Sequence, residues 1–283
     1  MEKIKILFIS SNPTDFSKLN LKEEFMGIEN ELRKSPYEEY FELFQNWETR
    51  IDELQDLLLR RKPDILHISG HGSQNSEIVL QNSGGYSSPV SNDALKILFH
   101  AFRDSLQCVV LNCCYSELQA QAIAEKIKFV VGVKGQIGDR CAIEFSKSFY
   151  RAIAHKKSIN EAYKLAQNAI ELPLGQINNS TKLHSSADAN YSFISRRIQA
   201  QKLVKDIEKH APSVALGYTA TRVWDKIRSA PVSNDNGEAA EFTYDTVSEL
   251  KNIVSTSDLT EEVAEGVFSK IASWFANADD LLF

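Results

Sequence analysis

At 283 residues, 43% hydrophobic and 25% charged, the sequence has the composition of an ordinary soluble globule, long enough for one large domain or for one domain with a small second one. A net charge of −6 gives no overall bias toward nucleic acid, and no apolar run is long enough to span a bilayer. Four cysteines in a chain of this size do not make a disulfide framework, so a reducing cytoplasm is expected.

Residues 4–9 read as a buried first strand, too short for a signal peptide and without a small-residue cleavage site. Ser10-Ser11-Asn12-Pro13 breaks it. Leu21, Phe25, Ile28 and Leu32 then recur at helical spacing, and a second strand is expected near residues 40–44. Ile51, Leu54, Leu57 and Leu58 give a further amphipathic helix, ended by Lys62-Pro63. The basic run Arg60-Arg61-Lys62 is its solvated end. The apolar run Ile65, Leu66, Ile68 follows and leads to His71-Gly72. This β-α-β-α-β order argues for an α/β sheet. Residues 73–93 interrupt the rhythm, and 78–80 with the Gly84-Gly85 turn predict a hairpin beside the strand ends. A helix is expected over 94–102.

Val109, Val110 and Leu111 form the next apolar run and lead to Cys114. Ser116 and Gln119 have the spacing of a capping box for a helix over 117–126. Residues 129–133 read as another buried strand, and Gly138-Asp139 opens a long helix through Phe145, Phe149 and Ile153. A last helix over 159–170 is expected to stop at Pro173. Residues 174–190, rich in Asn, Ser and Thr, read as a loop, and 191–194 as a short returning strand. Residues 199–208 are expected to be helical, 230–237 form the clearest linker, and two amphipathic helices follow through Val247, Leu250, Val254 and Val263, Val267, Ile271, Trp274. The expected organisation is an α/β domain over 1–200, a helix and linker over 201–236, and a helical docking or regulatory segment over 237–283, too small to bury a core alone.

Continuous apolar strands suit the centre of a parallel sheet covered on both faces, and chemistry in such sheets collects at the carboxyl ends of the strands. If the two strands are neighbours, His71 and Cys114 emerge together, an imidazole beside a thiol. A helix N-terminus and a nearby histidine favour the thiolate of Cys114. The backbone amides of Gly72 and Cys114 are candidates for an oxyanion hole, and glycine leaves room there for a substrate carbonyl. Successive strand side chains face opposite sides, so Cys113 is expected to pack inward, with Cys108 and Cys141 in the core. His67 lies inside its strand and reads as a buried or supporting histidine, with a role as the base as the alternative. Asn112 is placed to order the turn. Asp139 either caps its helix or lines a substrate pocket. No metal is expected: there is no Cys-x-x-Cys, and His67 and His71 on a strand stand roughly 13 Å apart, too far to share an ion.

His67-Ile-Ser-Gly-His71-Gly72 and Leu111-Asn112-Cys113-Cys114-Tyr115-Ser116 together resemble the motifs of the caspase-like cysteine peptidases, and within them the CHAT domain. Cys113 stands where the family turn has alanine. The resemblance covers about residues 3–172. It implies a caspase-like α/β sandwich, a mostly parallel central sheet flanked by helices, here with a small C-terminal helical segment. It also implies a cofactor-free cysteine endopeptidase with a His71–Cys114 dyad, which cleaves a partner protein. The wider context it implies is a regulated bacterial signalling or anti-phage effector, cytoplasmic, with an activating protein partner at the C-terminal segment and no direct contact with nucleic acid or membrane. The rival reading is a catalytically silent scaffold that binds protein partners. A nucleotide-binding α/β protein is disfavoured, because no Gly-rich loop follows the first strand.

Overall fold

The computed structural model describes residues 3–174, 180–186, 193–195, 197–198 and 201–202. The elements up to residue 186 belong to one compact unit. In chain order they are β1 (Ile4–Ser11), α1 (Leu21–Arg33), β2 (Phe41–Asn46), α2 (Leu54–Arg61), β3 (Ile65–Gly70), β4 (Val79–Gln81), β5 (Ser87–Pro89), α3 (Asn92–Ala101), β6 (Cys108–Cys113), α4 (Glu117–Ala124), β7 (Phe129–Val133), α5 (Asp139–Ala154), α6 (Ile159–Leu174) and β8 (Thr181–Ser185).

Six strands form one sheet in the order β2-β1-β3-β6-β7-β8. The pairings from β2 through β7 are parallel, and β8 closes the edge antiparallel to β7. The apolar runs at residues 65–68 and 108–111 are the two central strands, buried at every position because helices cover both faces. Leu7, Ile9, Leu66, Ile68, Val109, Leu111 and Cys113 face α2, α3 and α4. The alternate residues face α1 and α5, which pack on each other, and α6 packs against α5. β4 and β5 make the expected antiparallel hairpin.

The structure corrects several expectations. Ile51 precedes α2 and is 40% exposed, so it is not part of that helix's buried stripe. Residues 181–185 are a strand rather than loop; a sheet-edge strand with one half-covered face can be polar, which disguised it. α6 runs through Pro173 to Leu174 rather than stopping at the proline. Phe193 and Ile194 are helical, not extended. Gln201 and Lys202 are helical as read, while the linker and the two C-terminal helices lie outside the described residues. No helix among the described residues is long and apolar enough to cross a membrane.

Candidate active site

The register of the central strands decides the geometry. Gly70 stands opposite Cys113, so the next residues, His71 and Cys114, leave adjacent strands side by side at the carboxyl edge. The two chain segments then touch. A Cβ on Gly72 would lie 1.7 Å from the Cys114 carbonyl oxygen. Glycine is required at 72 by the backbone of Cys114 itself.

The turn after Cys114 is held in a conformation that side chains rarely adopt. Tyr115 has φ of 58°, in the left-handed region, and its N–H donates to the Gly135 carbonyl at 2.9 Å. Ser116 fixes this turn from below. Its hydroxyl proton is shared between the carbonyls of Cys113 (2.8 Å) and Leu111 (3.1 Å), and its oxygen accepts the Val133 N–H at 3.0 Å. The expected capping box does not form, because strand carbonyls take the Ser116 hydroxyl. Gln119 instead pins the hairpin to α4: its carbonyl oxygen accepts the Ile78 N–H and its amide donates to the Val90 carbonyl, each at 2.7 Å.

His71 is half-buried, with its ring tilted against Phe16 at 4.7 Å and Nε2 2.8 Å from the Ser17 carbonyl oxygen. A carbonyl only accepts, so Nε2 carries the hydrogen and Nδ1 of the neutral ring carries the lone pair. Ser17 acts through its main chain, which has no signature in a sequence. Cys114 is half-buried; its Sγ accepts from the Ile137 N–H at 3.4 Å and donates to the Ile137 carbonyl at 3.8 Å. Cys113 is buried on the other face and donates to the Ile68 carbonyl at 3.7 Å. Burial, reinforced by the negative Glu24, pushes the Cys113 thiol far up, which makes it an inert hydrophobe. Burial does the same to Cys108. Cys141, expected in the core, is only half-buried.

Asp139 is the first residue of α5, and Gly138 occupies the capping position. The carboxylate of Asp139 reaches away from its own helix and accepts from the backbone N–H (3.2 Å) and side-chain amide (2.8 Å) of Asn20. It is a brace between α5 and the β1–α1 loop, which corrects the cap reading. The structure thus brings His71, Gly72 and Cys114 together, and sets Asp139 two residues beyond the Ile137 that holds the Cys114 sulfur.

Beneath this edge lies a buried polar cluster centred on Glu24 of α1, which the sequence reading missed. Oε1 accepts from His67 Nε2 (3.0 Å), Asn112 Nδ2 (2.6 Å) and Ser146 Oγ (2.6 Å), and Oε2 accepts from Ser69 Oγ. His67 is fully buried and its other ring nitrogen meets the Tyr150 hydroxyl at 3.2 Å. Burial alone pushes the Glu24 carboxyl up; the hydrogen bonds from His67, Ser146 and Ser69 outweigh it and hold the group below the usual glutamate value. The cluster joins α1, β3, β6 and α5, and Ser69 and Asn112 each stand two residues before His71 and Cys114. His67 is therefore the supporting histidine, not one exposed to a substrate.

A family model for the CHAT domain matches residues 31–174, half of the chain. The chain belongs to the CHAT domain family. His71, Gly72, Cys114 and Asp139 fall inside the matched CHAT segment, whereas Ser17 and Glu24 precede it. A Roc-COR-CHAT protease from an unidentified prokaryote is 31% identical over 175 residues, covering 59% of this chain and 16% of that protein. A protein named "Probable protease" from Gillisia limnaea is 25% identical over 170 residues, covering 59% of this chain and 30% of that one. The chain therefore spans less than a third of the length of these curated relatives. Among solved structures, the Drosophila initiator caspase Dronc aligns with a TM-score of 0.43 at 10% identity, over 64% of this chain and 79% of that chain.

Proposed function

We propose that the chain is a cysteine endopeptidase that cleaves a partner protein through a His71–Cys114 dyad. The observation that carries this reading is the register placing His71 beside Cys114, with Gly72 packed on the Cys114 backbone. In the proposed reaction Nδ1 of His71 takes the thiol proton as sulfur attacks the peptide carbonyl. The Ser17 carbonyl keeps the reactive nitrogen free by holding the proton of Nε2. The amides of Gly72 and Cys114 stabilise the oxyanion. His71 then protonates the leaving amine, the carbonyl stays on Cys114 as a thioester, and water activated by His71 releases the acid and restores the thiol. Membership of the CHAT family and the protease names of the relatives support the peptidase reading over the silent scaffold.

The test is mass spectrometry of proteins encoded beside this gene, incubated with the full chain and with its Cys114→Ala form, together with labelling by a thiol-directed electrophile. New fragments with the unaltered chain alone, and selective label on Cys114, support the enzyme. A Cys114 that resists labelling in the presence of its partners, with no fragments formed, sinks it in favour of the scaffold.

Asp139 extends the proposal to specificity. A carboxylate two residues from the Cys114 contact favours a basic side chain on the amino side of the cut, because a partly desolvated charge pair is stronger than one in water. Cleavage-site profiles of Asp139→Ala are expected to lose that preference; a native preference for acidic residues rejects the idea. Residues 237–283 are proposed to dock an activating partner. Truncation before Gly237 should change assembly state or regulated activity, and a truncated chain unchanged in both refutes this. The defence context rests on family resemblance and stands or falls with phage-infection assays in which Cys114→Ala loses protection.

A further inference from the structure

On the same edge of the sheet, beyond His71 as seen from Cys114, a cleft of about 500 Å³ opens at the carboxyl ends of β1 and β2. Leu19, Leu21, Phe25, Met26 and Trp47 supply its apolar lining. Trp47 is 40% and Met26 49% exposed, so two large apolar side chains stand open to solvent in one concavity. Lys18 and Lys22 are at its rim, and neither takes part in an ion pair among the described residues. Glu48 is the single carboxylate of the lining, which leaves the rim net positive. Ser10, Asn12 and Gln45 add neutral polar groups.

The wall of the cleft is the loop that holds the histidine. Asn12 closes this loop through its side chain, accepting from the Leu19 N–H (3.2 Å) and donating to the Leu19 carbonyl (3.3 Å). Ser17 of the loop holds His71, and the next two residues, Lys18 and Leu19, line the cleft. We infer that this cleft is a substrate subsite: it receives a bulky apolar side chain flanked by carboxylates, on the carboxyl side of the cut in a protein substrate. The inference rests on the peptidase reading and adds its direction and chemistry. The general acid must stand at the leaving amine, so the chain after the cut departs past His71 and away from Cys114. The sheet order β6-β3-β1-β2 then carries it over β1 toward the cleft. From the end of β6 to the gap between β1 and β2 is about two and a half strand spacings, roughly 12 Å, or three to four extended residues. The apolar lining takes the side chain, and the two lysines take neighbouring acids.

Binding tests the chemistry without turnover. The full chain carrying Cys114→Ala is panned against phage-displayed random peptides, alone and with Trp47→Ala or Lys18→Glu/Lys22→Glu added. Enriched peptides are expected to carry Phe, Tyr, Trp, Leu or Met beside Asp or Glu. Trp47→Ala should weaken a selected peptide roughly tenfold or more, and the double charge reversal should exchange acidic for basic flanks. No common motif, or one that binds Trp47→Ala equally well, overturns the subsite. Cleavage profiling of a proteome-derived peptide mixture then tests the position, expected at the third or fourth residue after the cut. Cys114-dependent cleavage whose pattern ignores Trp47 overturns the subsite alone. A bound motif without any Cys114-dependent cleavage overturns the peptidase reading and, with it, the placement after a cut.

Discussion

Cys114→Ala is expected to abolish cleavage of an identified protein substrate and to leave the fold intact. The sulfur is half-buried and makes two long contacts to Ile137, so its loss costs the fold about 1 kcal/mol or less. It is also the group that attacks the peptide carbonyl in the proposed reaction, and removal of such a group lowers turnover by roughly 10⁴-fold or more. His71→Ala should fall as far, since no base or leaving-group acid remains. Gly72→Ala tests the contact between the two segments. Its Cβ would meet the Cys114 carbonyl oxygen at 1.7 Å, so the backbones must part. A displacement near 1 Å at a reacting centre costs on the order of 10²-fold in rate. Cys113→Ala removes one sulfur from the opposite face and should keep most activity, at a cost of about 1 kcal/mol in stability. Circular dichroism and thermal unfolding establish that each variant is folded before turnover is measured. Activity kept by folded Cys114→Ala, or lost only in Cys113→Ala, would falsify the assignment and move the nucleophile to its neighbour.

What could be read in the sequence follows from what leaves a side-chain signature. The central strands were legible because burial on both faces demands strands that are apolar at most positions. Their carboxyl ends were legible because His-Gly and Cys-Cys stand where those runs stop. Ser17 could not be found, since its carbonyl does the work and any residue has one. The capping-box spacing at Ser116 and Gln119 was real as a pattern, but tertiary partners claimed both side chains. Glu24 was concealed for a different reason. Leu21, Phe25, Ile28 and Leu32 define the helical stripe without it. Position 24 lies three residues after Leu21 and four before Ile28, on that same stripe, and Glu31 repeats the placement. A carboxylate on the core face of an amphipathic helix was the available signal: it must find partners there or lose its charge. His67 and Ser69, polar residues inside a buried strand, were the matching half of it.

Glu24→Ala is expected to cost more stability than any other single change in the site, about 3–5 kcal/mol, because a buried ionised partner is removed from polar groups that stay buried. Glu24 is 2% exposed and accepts from four side chains on three elements, and all four of those donors are themselves buried. Glu24→Gln should cost less, about 1–3 kcal/mol. Its carbonyl oxygen can stand where Oε1 accepts from His67, Asn112 and Ser146, and its amide can turn toward the Ser69 oxygen, which accepts. What it loses is the charge. The carboxyl is held below the ordinary glutamate value of 4.5 in the folded chain. Between the folded and unfolded values the unfolded chain binds the additional proton, so stability rises with pH in that window. The contribution is complete above about pH 4.5 and is lost as pH falls through the lower, folded value. Urea unfolding of the full chain between pH 7 and pH 3 is the measurement. Unaltered protein should lose stability on acidification more steeply than Glu24→Gln, and the two curves should converge at the acid end. Parallel curves, or a Glu24→Ala chain as stable as the Gln form, would mean that the cluster does not hold an ionised carboxylate. Activity separates support from simple folding: Ser69 and Asn112, both bonded to Glu24, stand two residues before His71 and Cys114. A folded Glu24→Gln chain should therefore lose turnover with little change in KM, as the two strand ends lose their fixed register.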